Sequence, residues 1–270
     1  MVECGPMRLM IDARRGKVPL TQEALEAARK AVGFLEGVAR SRPFLGRDYA
    51  RWISFITDPL AQRMVASVRL VGDEDLTPMA AVAGTIADGV ANFLLKRGAT
   101  RVLIDNGGDV AVRCQDDRPV TVGVKSRVDS IDISQSILLG PERESWGIAT
   151  SGVGGRSLTR GVVDAATVVA ADASLADAAA TAIANASFIS CPGIIRCAAE
   201  KIDPYTDITG LEVTTKVGPV GENEIQQAIK QAIERAESLC RKKVILGALV
   251  TFRGRMAMTP FIAERLRTIS

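Results

Sequence analysis

Residues 173–186 read ASLADAAATAIANA, a run of side chains mostly no larger than a methyl group. Alanine is the best helix former, so the run predicts a helix over 174–186, with Ser174 as its cap. A helix this smooth must pack close to something, and two oxygen side chains interrupt it. Asp177 and Thr181 stand four positions apart, which puts a carboxylate and a hydroxyl on one helix face. A second stretch has the same character. Thr77-Pro78 is a helix start, MAAVAGTIADGVANFLLKRG follows, and Gly98 is the stop. Its alanine- and glycine-rich first half, with Gly84 at its centre, can approach a backbone or a ligand closely.

Several strands are predicted in succession between these helices. TRVLIDNGGDVAVRC has two apolar runs about Asn106-Gly107-Gly108, a tight-turn signal for antiparallel strands. VTVGVK at 120–125, DISQSILLG at 132–140 and AATVVAA at 165–171 read as further strands, with WGIATSGVGGRSLTRG as a polar, glycine-rich loop. Consecutive strands flanked by helices exclude the alternating series of a parallel doubly wound sheet and predict an α+β fold. Toward the amino terminus, 21–40 predicts an amphipathic surface helix capped by Thr21, and SRPFLGRDYARW a loop. From about 196 the chain becomes turn-rich, with a helix EIQQAIKQAIERAESLCRKK and a last strand VILGALVTF. The expected organisation is one domain over 1–270, with 77–186 its recognisable core and 196–270 a less defined part.

The 270 residues, 47% hydrophobic and 24% charged, are those of a folded chain. Net charge is +3, from 34 basic and 31 acidic residues, and the short basic clusters ARRGK and RKK carry no interleaved aromatics. Nucleic acid is therefore not an expected partner. No apolar run of membrane-spanning length and no signal-peptide core are evident, so the expectation is a cytoplasmic chain without membrane partners. The five cysteines form no C-x-x-C pair and read as reduced thiols. There is no histidine. Imidazole bases, Ser-His and Cys-His nucleophiles and imidazole metal ligands are excluded, leaving carboxylates, hydroxyls, lysines, backbone groups and a bound ion or cofactor.

The candidate residues have alternatives. Ser174-x-x-Asp177 fits a capping box, in which the carboxylate serves only helix-end amides. Thr181 could bond back to a carbonyl of its own helix. Asn106-Gly107-Gly108 is a hairpin turn whatever else it does, Asp109 is a turn residue or a contact, and Asp88 is a solvated helix residue or a site residue. The loop 150–161, with Thr150, Ser151, Gly152, Arg156 and Arg160, is too polar for core, and its arginines could grip an anion bidentately.

IDNGGDVAV, GIATSG and TVVAADASLADAAATA, in this order, resemble the ApbE superfamily of flavin-handling proteins, whose best-known members are FAD:protein FMN transferases. AVAGTIAD at 81–88 sits where the transferases have an iAKGyavD-like pattern. PMAAVAG, NGGD and a T-S-G loop ending in GRSLTRG resemble a bacterial and archaeal ApbE-like subfamily more closely still. The resemblance is good over 77–186. It implies an ApbE-like fold with a ligand cleft between sheet, loop 150–161 and helix 174–186. It further implies that Asp177 and Thr181 bind magnesium, and that a backbone carbonyl of 82–84 joins them. Gly84, Asp88, Asn106, Gly107, Gly108, Asp109, Thr150, Ser151, Gly152 and Arg156 then lie along a phosphate-bearing, FAD-like ligand.

Two departures matter. Ala83 replaces the transferase lysine, and the H-I-x-D-P-x-T-G element is missing. The resemblance thus implies a magnesium–nucleotide site without FMN transfer. Alternatives are an enzyme or enzyme subunit of sulfur assimilation into homocysteine, beside a ferredoxin-like partner, and a non-catalytic interaction module. A homo-oligomer is expected on general grounds.

Overall fold

The computed structural model describes residues 1–127, 133, 135–155 and 157–269, so Arg156 lies outside the described residues. The chain is α+β and divides into two compact units. One holds Met1–Val120, Leu139–Ala149 and Val169–Ala178; the other holds Thr121–Leu138, Thr150–Val168 and Ala179–Ser270.

The first unit begins with strands β1 (Val2–Cys4), β2 (Met7–Arg15) and β3 (Val18–Pro19), then helix α1 (Thr21–Ser41). Three 3₁₀ turns between Arg42 and Phe55 lead to helix α2 (Pro59–Val71). A further 3₁₀ turn, Pro78–Ala81, opens helix α3 (Val82–Lys96), which β4 (Arg101–Asn106) and β5 (Asp109–Cys114) follow. Strands β1, β2, β4 and β5 are antiparallel neighbours in that order, with β3 beside β2. Leu9, Val102, Ile104 and Ala111 from the sheet meet Ile86, Val90, Ala91 and Leu94 from α3 in one core, to which α1 adds Ala27 and Ala31. Alanine on α1 and α3 brings these helices close to the strands beneath.

Later segments complete the units. Strands β6 (Val120–Val124) and β7 (Gln135–Leu139) precede β8 (Ser145–Ser151), whose amino-terminal part pairs antiparallel with β5, and β9 (Ala165–Ala170). Helix α4 (Ala173–Ala186) gives Ala173–Ala178 to the first unit and its remainder to the second. The second unit continues with β10 (Ile194–Ala198) and β11 (Glu212–Val217), an antiparallel pair. Then come helix α5 (Glu222–Arg241), the hairpin β12 (Gly247–Phe252) and β13 (Arg255–Met258), helix α6 (Pro260–Arg265) and β14 (Leu266–Thr268) on β7. Helix α5 packs on β12 through Ile225, Ala228, Ala232, Ala236 and Leu239, an apolar stripe at helical spacing.

Several local expectations need correction. Thr21 is inside α1, whose cap position is Leu20 and has no side-chain bond. Residues 146–151, expected as loop, belong to β8 because Trp146, Gly147, Ile148 and Ala149 are buried. The strand at 247–252 is not the last. Helix α2 escapes the sequence reading although its signals are complete. Asp58 accepts from the Leu60 and Ala61 amides at 2.9 and 3.0 Å, Pro59 follows it, and Gly72 ends the helix at φ 78°. The stretch Pro78–Lys96 is, against expectation, long and apolar enough to cross a membrane by length and composition, and 56% of its apolar window is buried. Its hydropathy comes from facing strands and helices on more than one side. None of the five cysteines is in a disulfide.

Candidate functional site

Helices α3 and α4 meet at Gly84. A Cβ there would fall on the Ala173 carbonyl, so the two backbones touch where only glycine fits. Gly147 on β8 is likewise pressed against the Asp172–Ala173 peptide. Around this contact the helices exchange carboxylates. Asp177 of α4 accepts from the Gly84 amide in the first turn of α3, at 3.0 Å. Asp88 of α3 accepts from the Ser174 amide in the first turn of α4, at 2.8 Å. Each helix start, with its unsatisfied N–H groups, is thus served by an acid on its neighbour.

The local cap of α4 is Asp172, whose Oδ1 accepts from the Leu175 amide at 3.0 Å. Ser174, expected as that cap, instead turns its buried hydroxyl to Thr85 Oγ1 at 2.6 Å and Ser67 Oγ at 2.7 Å. The Ser174-x-x-Asp177 capping box is not made, because Asp177 faces α3.

Both acids are perturbed. Burial pushes the Asp177 carboxyl up to about 7; the Gly84 and Ala83 amides pull down and the Asp88 charge pushes up further. Among the described residues no cationic side chain enters that balance. Asp88 is buried too, and desolvation raises it above the ordinary carboxylate range, against the opposing pull of the Arg113 guanidinium. Arg113 Nη2 reaches Asp88 Oδ1 at 2.7 Å, and its Nε donates to Asn92 Oδ1 at 3.1 Å. The two oxygens of Asp88 are therefore both engaged, one by a strand arginine and one by a helix amide.

The other expected residues divide between the units. Asn106 donates to the Ala83 carbonyl at 3.1 Å, which ties the end of β4 to the start of α3. Gly107 and Gly108 form a two-residue turn with φ 70° and 112°, and the Gly108 amide is held by Asp105 Oδ1 at 2.7 Å. Asp109 pairs across from Asn106 in that hairpin. Gly84, Asp88, Asn106 and Asp177 thus converge in the first unit. Thr150, Ser151 and Gly152 belong to the second, where the Thr150 hydroxyl meets that of Thr167 at 2.9 Å. There too, a Cβ on Gly152 would stand 2.5 Å from the Asp164 carbonyl oxygen. Thr181 is half-buried, one turn beyond Asp177 on α4.

The sequence reading missed Arg113, Asn92, Arg63 and Asp172. They line a cavity of about 330 Å³ in the first unit, with Thr85 and Asp88, and Arg63 pairs with Asp172. The one available signal was Arg113 itself, a charge inside the apolar run DVAVRC.

Could a magnesium ion be held here? Among the described residues no three acids or cysteines converge as a metal cage. A cation at Asp177 would take one carboxylate, a hydroxyl and neutral oxygens. That is the donor set magnesium accepts while it keeps waters and phosphate oxygens. Among the described residues no cationic side chain acts on Asp177, and methyl-sized residues flank it on α4, so the donors fit.

A UPF0280 protein of Methanococcoides burtonii is 36% identical over 179 residues, 64% of this chain and 73% of that protein. One from Methanospirillum hungatei is 32% identical over 187 residues, 69% of this chain and 73% of that protein. Among solved structures, the ApbE protein of Thermotoga maritima is 18% identical with a TM-score of 0.41, covering 70% of this chain and 52% of that one. The flavin transferase ApbE of Vibrio cholerae is 14% identical with a TM-score of 0.39, covering 71% of this chain and 51% of that one. The chain spans about half the length of those two structures. A family model described as AbpE bacteria matches residues 1–258. The chain is therefore a member of this ApbE-like family, with the archaeal UPF0280 proteins among its relatives.

Proposed function

We propose that this protein binds a magnesium-associated, phosphate-bearing ligand of the flavin-nucleotide kind and does not transfer FMN to protein. The observation that carries the reading is Asp177. Its carboxyl is held up to about 7 by burial and lies against the Gly84 amide, and among the described residues no cation enters its balance, so a divalent ion would supply the missing charge. Thr181 adds an oxygen one turn along the same helix. Bound there, magnesium would hold and neutralise a diphosphate. The chain's own residues orient that pair: the Gly84 amide holds the Asp177 carboxylate, and Asn106 fixes the Ala83 carbonyl. The ligand class follows the names of the ApbE flavin transferases, with Ala83 where those enzymes carry lysine.

The test is calorimetric titration of FAD with and without magnesium, on the wild type and on Asp177→Asn and Thr181→Val. Asparagine keeps an acceptor for the Gly84 amide and loses the charge, so the fold is spared. Binding that needs magnesium and falls at least about tenfold in Asp177→Asn supports the reading. Wild-type binding of FAD indifferent to magnesium and to both substitutions overturns it. Formation of a covalent FMN adduct on a flavinylation-target peptide at a catalytic rate would remove the negative half.

A further inference from the structure

Asp88 was a candidate ligand contact, but both of its carboxylate oxygens are already taken inside the first unit. Oδ1 receives Arg113 at 2.7 Å, Oδ2 receives the Ser174 amide at 2.8 Å, and the residue is buried. From the Ser174 amide the chain turns once along α4 to Asp177, which reaches back to the Gly84 amide. Gly84 stands four positions before Asp88 on α3. The result is a closed loop of two helix starts and two carboxylates, pinned at its centre by the Gly84–Ala173 backbone contact. The hydroxyls of Ser67, Thr85 and Ser174 lock the same crossing from α2, α3 and α4. Sliding α4 along α3 by a fraction of a turn would break every one of these bonds.

We propose that Asp88, seated by Arg113 and Asn92, is a positioning residue: it sets the height of α4 against α3 and so places the Asp177 carboxylate. Arg113 enters from strand β5 and Asn92 steadies its Nε at 3.1 Å. The sheet thereby fixes the first turn of α4 through one buried ion pair. Such a pair adds little net stability compared with apolar packing, and its value lies in specifying one arrangement. Asp88 touches no ligand in this assignment. It acts through the Ser174 amide alone.

The test uses the double variant Asp88→Asn with Arg113→Gln, because removing one charge alone strands the other in the interior. Asn92→Ala is the milder companion, leaving the ion pair in place. Amide hydrogen exchange at Gly84 reports whether Asp177 still reaches α3, and it needs no ligand. Exchange there should quicken on the order of tenfold in the double variant, and less in Asn92→Ala, while the amides of α5 keep their protection. Unchanged exchange at Gly84, or equal quickening throughout α5, overturns the assignment.

A second arm rests on the magnesium–nucleotide reading. Magnesium-dependent FAD affinity should fall roughly tenfold or more in the double variant, and should not fall further when the same changes are made in Asp177→Asn. Equal losses in both backgrounds would mean that Asp88 does not work through Asp177. If the wild type fails to bind FAD, the ligand reading falls and the exchange arm alone decides the positioning role.

Discussion

Helix α5 and the crossing of α3 with α4 bury themselves by opposite means. On α5 the apolar stripe Ile225, Ala228, Ala232, Ala236 and Leu239 faces β12, while Lys230, Glu234, Glu237 and Arg241 face water. Any helix with that stripe would pack in the same way, and no single atom decides it. On α4 all but Asp177, Thr181, Asn185 and Ala186 are buried, so apolar area turns that narrow face outward but leaves the height of the helix along α3 open. That height falls to a few polar atoms: two aspartates, the hydroxyls of Ser67, Thr85 and Ser174, and a glycine with backbone pressed against it. The difference teaches where tolerance ends. A helix positioned by area accepts many substitutions, whereas one positioned by exchanged hydrogen bonds does not.

That contrast breaks first at Gly84. Gly84→Ala should lose about 3 kcal/mol or more, at or above the top of the range for overpacked cores, because the new methyl meets the Ala173 backbone and no flexible side chain can yield. Urea denaturation measures it. A loss below about 1 kcal/mol would show that the α3–α4 contact is loose and that the comparison fails.

The second effect is in pH. Asp177 is raised from 3.8 to about 7, so the folded protein holds that proton across a window in which the unfolded chain has released it. Stability should therefore fall as pH rises from about 4 to about 7 and level off above, the reverse of an acid held in an ion pair. Asp88, raised in the same direction, contributes to the same slope, so the diagnostic quantity is the difference between wild type and Asp177→Asn. The variant should be the flatter of the two. Identical pH profiles would place Asp177 in a wetter, neutralised setting.

The smallest effect belongs to α5. Lys230 and Glu234 stand 3.9 Å apart and well exposed, so Lys230→Ala should change stability by less than about 0.5 kcal/mol. A larger loss would mean that α5 too depends on particular polar contacts.

Much of the frame was legible beforehand. The presence of α1 and α5 was legible, α5 lying two residues earlier than read, and the β4–β5 hairpin followed from Asn106-Gly107-Gly108, since two consecutive residues at positive φ call for glycine. Helix α2 was equally well marked by Asp58, Pro59 and Gly72. Strand β8 was hidden by a sequence that looks like loop: its glycine sits in the strand because the Asp172–Ala173 peptide needs the space.

The sequence by itself determined the α+β class, the absence of imidazole chemistry, the pairing of Asp177 with Thr181 on one helix face, and the need for close packing around two alanine-rich helices. Those follow from composition and from local periodicity, which a chain carries without folding. Only the tertiary structure decided what the carboxylates face. It turned Asp177 to the Gly84 amide, took Asp88 out of solvent to meet Arg113 and Ser174, and made Asp172 the cap that Ser174 was expected to be. A helix amide left without a partner in its own turn will donate to any carboxylate within reach, and which one arrives depends on how two helices cross. Residues 84 and 177 are far apart in the chain, and no spacing rule connects them.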